Sequence, residues 1–141
     1  MKLLVCAMEA SSNIHLKELK KYLSHDVKLV GVFDKELGNP LYDLTALAIM
    51  GIVDALKKLR FFFKLRDELV DLAKDCDKVL LMDSSGFNLP LAKKLRETYP
   101  NKEIIYYILP QAWAWKKGRV AKLEKYCTKL CSIIPFESEM Y

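Results

Sequence analysis

Asp83 follows an apolar run, Lys78 to Met82, and opens the polar stretch Ser84, Ser85, Gly86, Phe87, Asn88. A carboxylate at such a place, partly withdrawn from water, has the chemistry of a general base. The same residue at the start of a helix also serves as an N-cap or turn aspartate, and both readings stand. Asn88 divides in the same way between helix cap and hydrogen-bond partner of a substrate. Glu9 and Ser11 come just after the first apolar run and suit a hydroxyl-rich ligand, although Ser11, Ser12 and Asn13 are equally good caps. The two tryptophans of the chain, Trp113 and Trp115, sit two residues apart behind Pro110. Their rings can wall a sugar face or an acyl chain, or else pack as a lid between a strand and a helix. His15 reads as structural. His25 lies in Ser24-His25-Asp26, and adjacent residues do not make a catalytic triad.

These residues need elements to hold them. Apolar runs at Lys2–Met8, Val27–Phe33, Lys78–Met82, Glu103–Leu109 and Lys129–Ile134 read as strands. Helical spacing is expected over Asn13–Leu23, over Leu44–Lys74 with a break near Met50-Gly51, over Leu89–Thr98 and over Lys117–Tyr126. Strands alternating with helices predict an α/β, Rossmann-like three-layer sandwich with a mostly parallel sheet. In such a sheet the loops after the strands gather along one edge, where open sheets bind ligands. Four of those loops carry Glu9 to Asn13, Asp83 to Asn88, Pro110 to Trp115 and Pro135-Phe136-Glu137. One crevice is therefore expected to collect carboxylates, hydroxyls, an amide and both indoles.

The segment Ile52–Leu72 has two apolar sides. Leu56, Leu59, Phe62 and Phe63 form one, and Phe61, Leu65, Leu69 and Leu72 the other. Lys57, Lys58, Arg60, Lys64 and Arg66 lie between them, five cations with no acid in ten residues. One side is expected to pack on the sheet. The other then forms a greasy strip edged with cations, as in helices that lie at a lipid interface. A helix buried on both sides, against a partner domain, is the alternative. A second basic cluster runs from Lys116 to Lys129.

Composition narrows the rest. The chain has 141 residues, 52% of them hydrophobic, which fits one domain with a real core and excludes disorder. The net charge of +5 is only mildly basic, and the aromatics fit no nucleic-acid-binding motif, so no nucleic-acid partner is expected. The four cysteines form no Cys-x-x-Cys pair, and neither histidine is near them, so reduced thiols and no metal site are expected. Glycine-rich dinucleotide and phosphate loops are absent. The N-terminal apolar run is too short for a signal peptide, and no stretch of about 18 apolar residues is present to span a membrane.

Taken together, the motifs resemble those of the lipid-A-disaccharide synthase family, bacterial glycosyltransferases of the lipopolysaccharide pathway. The similarity covers nearly all of the chain. Ala48 to Val53 resembles the family's A-V-M-G-I-V/F segment, Asp83 to Asn88 its I-D-x-P-D-F-N segment, Pro110 to Trp115 its S-P-x-x-W-A-W segment, and Pro135 to Glu137 its P-F-E. The Trp-Ala-Trp and Met-Gly-Ile-Val segments set the chain apart from related nucleotide-sugar epimerases. In the family's opening G-E-x-S-G-D-x-H, Glu9, Ser11 and His15 match. Met8 and Ser12 replace the glycines, and Asn13 replaces the aspartate. Ser85 and Gly86 stand where the second segment has proline and its second aspartate.

The resemblance implies that residues 1–141 are the N-terminal, acceptor-side domain of a two-domain B-type glycosyltransferase fold. The C-terminal domain that holds the nucleotide sugar would be absent from this chain, which reads as a fragment, inactive or nearly so alone. The implied reaction is inverting transfer of diacylglucosamine from its UDP donor to diacylglucosamine 1-phosphate, releasing UDP. Asp83 takes the role of base. Glu9, Ser11, Asn88, Trp113 and Trp115 position the acceptor, and Leu56, Leu59, Phe62 and Phe63 meet acyl chains or the inner-membrane surface. No metal or cofactor is implied. The implied setting is cytoplasmic, peripheral at the inner membrane of a Gram-negative bacterium, with a homodimer possible at full length. The alternative reading is a non-catalytic lipid- or membrane-binding domain, or a decayed relic of the enzyme.

Overall fold

The computed structural model describes residues 1–50, 52–82, 84–107 and 124–131. Its strands are β1 (Lys2–Ala7), β2 (Lys28–Val32), β3 (Lys78–Met82), β4 (Glu103–Tyr107) and β5 (Lys129–Cys131), and its helices are α1 (Ala10–Lys20), α2 (Leu44–Met50), α3 (Ala55–Ala73) and α4 (Ser85–Thr98). The strands form one sheet in the order β2-β1-β3-β4-β5, every pair parallel. The expected α/β, Rossmann-like architecture is what the chain forms.

Side chains alternate across the sheet, as the pleat requires. Leu4 and Cys6 of β1, Val79 and Leu81 of β3, and Ile104 and Tyr106 of β4 join Leu65, Leu69, Leu91 and Leu95 of α3 and α4 in one core. Leu3, Val5, Ala7, Leu80 and Met82 face the other way, onto Leu16 of α1 and onto Phe33 and Leu37. The strands are apolar on both sides because both faces are covered. Helix α3 carries Asp54 as its N-cap, whose side chain accepts from the Lys57 N–H at 2.9 Å. The expected break between two helical segments falls between Met50 and Ala55.

Arg96 fastens the far side of the fold. Its guanidinium donates to the carbonyls of Pro100 and Lys102 (2.8 Å each) and of Tyr126 (3.2 Å), and to Thr128 Oγ1 (3.0 Å). One side chain thus joins the α4–β4 turn to the approach to β5. At the N-terminal ends of the strands, Glu103 lies 3.0 Å from both Lys78 and Lys129. Hydrogen bonds from Lys129 and then Lys78 hold its carboxyl below the usual carboxylate range.

Two helices begin earlier than their periodicity predicts. Helix α1 starts at Ala10 rather than Asn13, and α4 at Ser85 rather than Leu89. Their first turns carry polar residues, which hide the helical spacing of apolar ones. Helix α4 also takes Pro90 into its interior, where the missing N–H deprives the Gly86 carbonyl of its usual donor. The expected helix over Lys117–Tyr126 is described only at its end, where Glu124–Tyr126 is helical.

Gly31 in β2 adopts φ +115°, and a Cβ there would stand 2.3 Å from the carbonyl oxygen of Val5 in the neighbouring strand. No side chain can give way to relieve that clash. Gly31→Ala is expected to destabilise the protein by more than about 2 kcal/mol, read as a lowered denaturation midpoint in urea at unchanged slope.

Candidate functional site

The strand order reverses between β1 and β3. One connection leaves β1 for β2, and the next crosses back to β3 on the other side. Open parallel sheets bind ligands where this happens, beyond the carboxyl ends of the two strands. A groove of about 560 Å³ opens there, with Met8 and Glu9 following β1, Ser84, Gly86 and Phe87 following β3, and Leu59, Phe62 and Phe63 of α3 on its wall. The expected meeting of distant loops therefore holds for the first and second loops and for the greasy helix.

Both βα turns are built alike. Asn13 lies six residues after the end of β1, and Asn88 six residues after the end of β3. Asn13 Nδ2 donates to the carbonyls of Ala7 (3.0 Å) and Glu9 (2.8 Å), while its Oδ1 accepts from the Asp34 N–H (2.8 Å). Asn88 Nδ2 donates to the Met82 carbonyl at 3.1 Å. Each buried amide thus ties the first turn of a helix back to the last residue of the preceding strand. Neither residue is the cap. Glu9 and Ser84 hold the N-cap positions, with no side-chain cap hydrogen bond at either.

Ser84 has φ 42° and ψ 53°, the one positive φ outside glycine among the described residues. A serine in the left-handed region is uncommon, and such strain concentrates at functional turns. The Ser84 carbonyl accepts from the N–H groups of Phe87 (3.0 Å) and Asn88 (2.9 Å), so the start of α4 holds the turn in place.

The α3 wall is apolar and largely uncovered. Leu56, Leu59 and Phe63 are 59%, 52% and 50% exposed, while Leu65 and Leu69 on the opposite side are fully buried. Phe62 differs from the expectation of a fully outward residue. It is half-buried, its ring 5.5 Å from Phe61 and 5.7 Å from Phe87, and it joins the groove wall to the core. Ile49 and Ile52, ahead of α3 in the chain, are exposed as well. Arg66 also lines the groove, its guanidinium carbon 5.2 Å from the centre of the Phe63 ring.

Of the residues expected at the site, Glu9, Leu59, Phe62 and Phe63 share the groove. Ser11 is exposed on the first turn of α1 and is not part of the lining. Asn88 is buried beneath the lining, and Leu56 lies beyond it. Asp83, Trp113, Trp115 and the segment Pro135–Glu137 lie outside the described residues. His15 stacks edge-on with Tyr107, with ring centres 6.4 Å apart. Arg66, read from sequence only as one of five cations edging the strip, and Phe87 and Ser84, read only as part of the second loop, were given no site role by sequence. Arg66 had a usable signal, because it falls three and four residues after Phe63 and Phe62 and so shares their side of the helix.

Thiol chemistry finds no support among the described cysteines. Burial raises the Cys6 and Cys76 thiols above their ordinary value and pushes Cys127 up to about 12, so none is a thiolate at neutral pH. Among the described residues no three His, Cys, Asp or Glu side chains gather as a metal site. No helix among them is long and apolar enough to cross a membrane.

The family model described as lipid-A-disaccharide synthetase matches residues 3–141. The chain belongs to that family. It is 53% identical over 139 residues to the lipid-A-disaccharide synthase of Helicobacter pylori strain HPAG1, and 50% identical to that of Helicobacter acinonychis strain Sheeba. Each alignment covers 99% of this chain and 38% of the relative. The synthase of Campylobacter jejuni strain RM1221 is 39% identical over 150 residues, covering 98% of this chain and 41% of its own. The chain therefore spans about two fifths of the length of these curated relatives.

Asn13 acquires a meaning against the family's opening motif, where an aspartate stands. Its amide donates to two carbonyls, which an ionised carboxylate cannot do. Asn13→Asp would set a buried anion against the Ala7 and Glu9 oxygens and raise that acid's folded-state pKa. The charge part of its cost is then absent below about pH 3, where folded and unfolded chains are both protonated, and grows as the pH rises, while the loss of one of the two donors remains at every pH. A loss on the order of 2 kcal/mol is expected at pH 7, shrinking in unfolding curves taken near pH 3 to the smaller cost of the one lost hydrogen bond.

Proposed function

We propose that this chain is the acceptor-side domain of an inverting, UDP-sugar-dependent lipid glycosyltransferase. In this reading it works with a second, nucleotide-sugar-binding domain of the complete protein. The reaction transfers diacylglucosamine from its UDP donor to the 6-hydroxyl of diacylglucosamine 1-phosphate. The observation that carries the reading is the shared groove. Glu9 and Ser84, at the ends of the two switch-point strands, line the same hollow as the apolar wall of α3. A polar strand edge beside a greasy wall suits an acylated sugar, whose hydroxyl must reach the first while its chains lie on the second.

Asp83 acts as the base. Its carboxylate takes the proton of the acceptor hydroxyl as that oxygen forms a bond to the donor's anomeric carbon from the face opposite UDP. The bond from that carbon to the phosphate oxygen breaks, and UDP leaves with the electron pair. Glu9, Trp113 and Trp115 orient the acceptor, and Ser11, outside the groove lining, is not assigned that role. Asn88, with its amide on the Met82 carbonyl, serves the site by holding the end of β3. Leu59, Phe62 and Phe63 take up acyl chain. Leu56, with Ile49 and Ile52 beyond it, meets the inner-membrane surface, and Lys57, Lys58, Arg60 and Lys64 add attraction to anionic lipid.

In the complete protein, Asp83→Asn is expected to lower kcat for disaccharide formation by about 10²–10⁴-fold with little change in acceptor KM. Full activity in that variant would remove Asp83 from the base role. Leu59→Ser with Phe63→Ser is expected to raise the KM for the acylated acceptor by about tenfold or more, because two apolar contacts are lost. Loss of vesicle binding in that double variant, in a protein that forms no disaccharide, would favour the non-catalytic lipid-binding reading instead.

A further inference from the structure

Arg66 stands where the apolar groove meets a second, more polar hollow. The second hollow measures about 460 Å³, lies between α3 and α4, and is lined by Lys93, Lys94, Glu97 and Tyr126. Arg66 and Pro90 line both cavities and so form the ridge between them. Three cations gather at that ridge and hollow, against one lining carboxylate, Glu97.

The guanidinium is only loosely engaged, by a long ion pair to Asp67 and by the Phe63 ring. Arg66 Nε is buried and has no hydrogen-bond partner among the described residues. The nearest carboxylate oxygen, on Asp67, is 3.7 Å away, too far for a hydrogen bond. The Phe63 ring lies 5.2 Å from the guanidinium carbon, within cation–π reach. The side chain is 28% exposed, so the outer end of a planar fork remains open beside two lysines that line the same hollow, which matches a phosphate better than any neutral head group.

We propose that Arg66 binds the phosphate of the acylated acceptor, with its acyl chain in the apolar groove and its phosphate on the ridge facing Lys93 and Lys94. This assignment rests on the groove being the acceptor site. Arg66 is then a specificity-determining residue that separates a phosphorylated acceptor from one with a free anomeric hydroxyl.

The test uses the complete protein and two acceptors, diacylglucosamine 1-phosphate and the same glycolipid with a 1-hydroxyl. Calorimetric titration of the wild type is expected to favour the phosphate form. R66Q is expected to bind that form about tenfold more weakly or worse, and the hydroxyl form within about twofold of wild type. In turnover the same variant raises the KM for the phosphate acceptor and leaves kcat nearly unchanged. Should R66Q fail to fold, R66K carries the test, since it keeps the charge and loses the fork. A several-fold drop in phosphate preference supports the assignment, and an unchanged preference overturns it. Equal binding of both acceptors by the wild type also overturns it. So does an R66Q that loses affinity for phosphatidylglycerol vesicles but not for the dispersed phosphate acceptor, because Arg66 would then read the bilayer. Arg66-dependent phosphate preference in a protein that forms no disaccharide would leave this site standing and remove the proposed reaction.

Discussion

Ala7 pairs with Met82 at the carboxyl ends of β1 and β3, in a parallel register that also sets Leu4 against Val79 and Val5 against Leu80. Adjacent strands in a sheet lie about 4.8 Å apart. Whatever follows these two strands therefore leaves the sheet side by side. The order of strands makes the spot open, since the chain turns outward to β2 from one and onward to β4 from the other. A groove at this edge is a consequence of topology before any side chain is chosen. The side chains then decide what it can hold.

What they supply is a division between polar and apolar sides. The strand edge brings Glu9 and the strained Ser84, each followed directly by a helix. Two buried asparagines keep those helices against their strands through hydrogen bonds that a shorter or charged side chain could not make in the same way. Across the groove, α3 presents Leu59 and Phe63 to solvent while Leu65 and Leu69 anchor it to the sheet. A helix with one apolar side satisfied and another left open is stable on its sheet and still receptive. Phe62 links the two roles, because its contact with Phe87 fastens the open wall to the start of α4.

Family membership and geometry bear on different questions. The matched family model and the Helicobacter relatives establish ancestry along almost the whole chain. The groove supplies a polar strand edge beside an apolar wall. Two departures in the opening motif fare differently. Asn13 is integrated into three hydrogen bonds, whereas the Ser12 hydroxyl, where the motif has glycine, is buried without a partner among the described residues. One replacement has become part of the turn, and the other carries the cost of an unmet polar group.

Apolar runs and their spacing sufficed to read the parallel α/β order from sequence, because strands covered on both faces must be apolar throughout. The two-sided character of α3 was equally legible, since helical periodicity is a property of adjacent residues. The motifs from Ala48 to Val53 and from Asp83 to Asn88 carried the family. Helix starts at Ala10 and Ser85 were not legible, because the polar first turns of both helices are held by the end of the preceding strand rather than by their own pattern. The roles of Asn13 and Asn88 as ties, the left-handed Ser84, the partial burial of Phe62 and the place of Arg66 between two hollows came from the tertiary structure alone. Each depends on which distant segment stands opposite. That is set by strand order and register, and the type of a residue carries no record of its neighbour across the sheet.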